Sequence, residues 1–120
     1  MGMKMKTKLL GLSLALAFTS SAAFSADCGE APYEQPPIPN GETADAEDIR
    51  KARVAVVTYS NKVDEYLTCM DQRAPRILPY LSKEQKVRWD EDLAEVHERR
   101  RELQTQMNQA IRAFRKKTAN

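Results

Sequence analysis

Residues 49–70, IRKARVAVVTYSNKVDEYLTCM, decide the fold. Within them Ile49, Ala52, Val56, Tyr59, Val63, Tyr66 and Met70 recur at alternating spacings of three and four residues without a miss. A helix turns once in about 3.6 residues, so these apolar side chains line up as one heptad seam. Upstream, Thr43 or Asp45 can cap a helix start, and Asp45, Glu47 and Asp48 suit its positive end. No Pro or Gly interrupts until Pro75, so a first helix is predicted over about 44–72.

Working outward, Cys28 to Gly41 carries Pro32, Pro36, Pro37 and Pro39, which forbid a helix and favour an extended arm over residues 27–43. On the other side Pro75 and Pro79 break the helix, while Ile77, Leu78, Tyr80 and Leu81 predict a corner packed against the helix ends. Ser82 followed by Gln85 has capping-box spacing and opens a second helix over about 83–117, roughly 50 Å long. Its seam is Trp89, Leu93, Val96, Leu103, Met107, Ala110 and Phe114, with Arg100 where an apolar residue is expected. Two seams and a short corner predict an all-α fold. It is an antiparallel two-helix hairpin over residues 44–120, with an extended Pro-rich N-terminal arm tied back by a disulfide.

The start of the chain predicts export. Lys4, Lys6 and Lys8 precede an apolar run from Leu9 to Phe18, and small residues follow at Thr19 to Ala23. The run is too short to span a bilayer, so residues 1–26 read as a secretory signal cleaved after Ser25 or Ala26. No stable membrane insertion is expected after cleavage, and the periplasm or the exterior is the expected location. Cleavage removes three lysines and no acid, leaving 16 Lys+Arg against 17 Asp+Glu. That balance does not point to nucleic acid as a partner. The charge is uneven, however: Asp27 to Asp48 holds seven acids and no base, and Arg99 to Asn120 holds seven bases and one acid. A hairpin would lay the basic tail of Arg112, Arg115, Lys116 and Lys117 beside the acidic helix start.

Two cysteines remain, Cys28 and Cys69, in a compartment that oxidises thiols. A structural disulfide is the expectation, since there is no C-x-x-C pair and no nearby His for a metal. Helix one from Thr43 to Cys69 is about 39 Å long, and the extended arm from Cys28 to Thr43 reaches about 46 Å. The arm is long enough to run back along the helix, where Ile38, Tyr33 and the prolines would give Val54 and Val57 something to pack on. The chain-entropy model gives such a closed loop about 4 kcal/mol, a large share for so small a core.

The search for catalytic chemistry is negative. His97 has no second His at the spacing of a zinc-protease helix, because Arg101 stands there. Asp90, Glu91, Asp92, Glu95 and Glu98 are interleaved with Arg88 and Arg99 to Arg101 and read as a salt-linked exposed face. There is no phosphate-binding Gly-rich loop, and Ser60 and Ser82 lack a placed base. No enzyme activity, cofactor or metal is expected. The polar residue in the seam, the unequal helices and the small core leave apolar surface for a protein partner or a homo-oligomer, with Val54, Val57, Arg100 and Met107 as the candidate partner surface.

Two resemblances accompany this reading. The stretch Pro36-Pro37-Ile38-Pro39-Asn40-Gly41 with Ala44, then Tyr59 and Tyr66-Leu67-Thr68-Cys69, resembles a set of small exported proteobacterial proteins without an assigned function. Leu81-Ser82-Lys83-Glu84-Gln85, opening a long Arg- and Glu-rich helix, is similar to the LTxxQ motif of periplasmic chaperones and stress adaptors, with Ser for Thr and a single copy. The expected function is thus a non-enzymatic interaction or structural module of the cell envelope, and the alternative is a chaperone-like or stress-adaptor protein.

Overall fold

The computed structural model describes residues 28–119, together with Gly2 and Gly11. The signal segment expected over residues 1–26, with its two cleavage points, otherwise lies outside the described residues. What is described is all-helical: α1 spans Ala46–Ile77 and α2 spans Lys83–Thr118, joined by a short 3-10 turn, Leu78–Tyr80. The two helices pack antiparallel, since Asp64 of α1 pairs with Arg100 of α2, Ser60 meets Gln104, and Lys117 reaches the Ala44 carbonyl just ahead of α1.

Both helices begin with a capping box. Asp45 accepts from the Asp48 amide while the Asp48 carboxylate accepts from the Asp45 amide, so Asp45 is the cap and not Thr43. Thr43 belongs to the preceding turn, where its amide and that of Ala44 both donate to the Asn40 carbonyl. Ser82 and Gln85 form the reciprocal pair at the start of α2. At its other end Arg115, Lys116 and Lys117 face the negative pole of the helix.

Helix α1 outlasts the expected end near residue 72 and carries Pro75 inside its last turn. A proline there removes one amide donor, and its ring crowds a single carbonyl four residues back, which a terminal, exposed turn can accommodate. The stop comes at the 3-10 turn, with Pro79 near its start. The corner is less packed than expected: Ile77, Leu78 and Leu81 are half-buried, but Tyr80 is 85% exposed.

The core is the pair of seams: Ile49, Ala52, Val56, Tyr59, Val63 and Leu67 from α1, and Val96, Leu103, Met107 and Ala110 from α2. Leu67 takes the place expected of Tyr66, which is half-buried, as is Met70. The cause is the drift of a straight helix by ~20° per heptad against a strict seven-residue repeat. After two heptads the residue one position later points more nearly at the partner. Arg100 stays within the α2 seam, half-buried along its stem, with its guanidinium on Asp64.

Candidate interaction surface

The hairpin has two flanks, and the arm covers only one of them. Cys28 is joined to Cys69, with their α-carbons 5.6 Å apart. Gly29, at φ 69°, occupies the left-handed region as the arm leaves the bridge. From there the arm runs antiparallel to α1 and touches both helices. The Tyr59 hydroxyl donates to the Pro32 carbonyl at 2.9 Å, the Gln35 amide reaches the Arg99 carbonyl at 3.5 Å, and the Arg99 guanidinium lies 4.6 Å from the Tyr33 ring centre. Ala31 and Ile38 pack on the core. The arm ends at Gly41, which is buried so tightly against α2 that a β-carbon there would collide with the Ala110 carbonyl and lie 2.9 Å from the Ala113 β-carbon.

Two pKa shifts belong to this covered side. Burial pushes the Tyr66 phenol up, helped by Tyr33 and Asp92 and opposed by Arg73. The hydrogen bond to Glu95 raises the Arg99 guanidinium further, so it stays charged over the Tyr33 ring.

The arm does not shelter Val54 and Val57, contrary to expectation; they are 62% and 59% exposed. The groove between two helices offers an extended chain two walls and a cation for Tyr33, whereas the back of α1 offers one wall. The arm therefore follows the Ala52, Ala55, Tyr59 and Lys62 side of α1. At about 100° per residue, Val57 lies well round the helix from that line.

Among the described residues nothing covers the other flank, which is bare. There Ala46, Ile49, Arg50, Arg53, Val54 and Val57 border a shallow depression of about 550 Å³. The Arg50 side chain is 71% exposed and pairs with Glu47 on its own helix. Further along the hairpin this flank is bridged by polar pairs, Ser60 with Gln104 and Asp64 with Arg100.

Of the residues expected to form a partner surface, Val54 and Val57 are on this flank. Arg100 is not free for a partner, because its charge is committed to Asp64. Met107 is a correction: at 4% exposure it belongs to the core, as its place in the α2 seam requires once that seam packs against α1. Arg50 and Arg53 were missed, although each stands four residues before one of the exposed valines and so one helical turn away on the same side. The expected pairing of the basic tail with acidic side chains takes another form, since Lys117 meets the start of α1 through the Ala44 carbonyl.

His97 is exposed, and its charged neighbours form ladders along the helix, Glu95 with Arg99 and Glu98 with Arg101. Among the described residues no group of three or more His, Cys, Asp or Glu could hold a metal ion, and no helix is long and apolar enough to cross a membrane. Comparison of the chain with protein-family models, curated proteins and solved structures finds no match.

Proposed function

We propose that this chain is an exported, non-enzymatic interaction module of the cell envelope that presents the bare flank of its hairpin to a protein partner. One observation carries the reading: the disulfide-tied arm seals one flank, while the other leaves Val54 and Val57 exposed one helical turn apart, beside Arg50 and Arg53. Apolar side chains at a helical repeat, rimmed by charge, are what a helix-docking surface consists of. The bridge stiffens the scaffold beneath that surface, which lowers the ordering cost of binding. The disulfide agrees with the export that the N-terminal sequence predicts.

The test is photo-crosslinking in living cells from a benzoylphenylalanine at position 57, with products identified by mass spectrometry. One dominant product is expected. A broad smear of unrelated proteins would refute the module and favour the chaperone-like alternative.

A further inference from the structure

Resting on the interaction reading, we propose that the partner on the bare flank is a second copy of this chain, docked antiparallel about a two-fold axis at Val57. The spacing of charges along α1 favours this arrangement. Arg50 lies seven residues before Val57 and Asp64 seven after it, so each is two helical turns, about 10.5 Å, from the centre. A two-fold axis through Val57 therefore places Arg50 of each copy opposite Asp64 of the other. It also brings the two Val57 side chains together, with each Val54 beside them at the edge of the contact. An isologous interface must be complementary to itself, and this flank is: Arg50 and Arg53 precede the apolar centre at Val57, and Asp64 follows it.

The groups needed for the contact are accessible. The Arg50 and Asp64 side chains are 71% and 64% exposed, and Val54 and Val57 are the exposed apolar pair between them. Asp64 already accepts from Arg100, so an incoming Arg50 would complete a three-membered network across the interface. A parallel pairing would instead set Arg50 against Arg50 and Asp64 against Asp64. The charge order selects the antiparallel arrangement.

Single charge reversals test this in the oxidised protein by sedimentation equilibrium. Wild type is expected to dimerise, and Arg50→Glu and Asp64→Arg each to weaken the dimer by more than about tenfold through two like-charge contacts. An equimolar mixture of the two variants is expected to restore association, because in that heterodimer every opposed pair is again of opposite sign. A monomeric wild type, or variants that associate as well as wild type, would overturn the proposal. Because Asp64→Arg also removes the link to Arg100, circular dichroism is to confirm equal helicity.

The crosslink from position 57 is a second measurement that needs neither reversal. A self-product mapped to residues 54–60 of the other copy supports the second-copy interface. A single product with a different protein would overturn it while leaving the interaction module standing, and a smear would remove both.

Discussion

The two flanks of one hairpin are closed by different chemistry. On the covered side, twelve or so residues of proline-rich arm lie across both helices, held at one end by the Cys28–Cys69 bridge and at the other by the close approach of Gly41 to Ala110. On the bare side the helices are linked by side-chain pairs, of which Asp64 with Arg100 carries charge, and apolar atoms of Val54 and Val57 remain in water. A covalent clamp with a buried backbone contact resists exchange with solvent, whereas exposed polar pairs exchange readily with water or with a partner. The difference assigns stability to one flank and leaves apolar side chains exposed on the other.

The strongest way to break this contrast is to cut the clamp. Replacing Cys28 and Cys69 together by Ser should lower the unfolding free energy by about 4 kcal/mol, measured by urea denaturation against the oxidised protein. A change near zero would mean that the arm does not stabilise the hairpin. Next in size is Gly41→Ala. The added methyl meets the helix backbone, which cannot yield as a flexible side chain would, so a loss of about 3 kcal/mol is expected. Its thermal melting point should fall accordingly.

Tyr59→Phe removes the hydroxyl that donates to the Pro32 carbonyl but keeps the ring in the core, and should cost about 1 kcal/mol in the same denaturation assay. The corresponding bond on the bare side should be worth less: a double-mutant cycle on Arg100 and Asp64, each replaced by Ala, should give a coupling of about 0.2–1 kcal/mol. A coupling well above that would place structural strength on both flanks and erase the contrast.

The smallest effect is alkaline. The folded-state pKa of Tyr66 is raised, so its neutral phenol is favoured by folding; this contribution is full below the ordinary phenol range and is lost as pH rises through the folded value. Ultraviolet titration should show the Tyr66 phenol ionising above the ordinary phenol range, and the shift should shrink in the Cys→Ser double variant if the arm supplies the burial.

Much of the fold was legible because it is local. Heptad spacing from Ile49 to Val63, the Ser82–Gln85 box and the run of prolines each act within a few residues, and each appears in the structure as read. The departures also have local causes that spacing conceals. Pro75 was read as a helix stop, yet it is admitted in a final turn, and Leu67 replaces Tyr66 at the seam through the drift of a straight helix. The candidate surface was half legible. Val54 and Val57 stand out as apolar residues off the seam, but packing against α1 withdraws Met107 into the core and commits Arg100 to Asp64.

By itself the sequence determined that there are two helices, to within a turn where each starts, which stripe of each is apolar, and that two cysteines lie within an arm's reach of one another. Those properties follow from hydrogen bonds and hydrophobic periodicity within single segments. Only the tertiary structure decided which side of the hairpin the arm would occupy. That choice compares two grooves built from residues far apart in the chain, and it rests on contacts such as Tyr33 on Arg99 and Gly41 on Ala110 that exist only once both helices are packed.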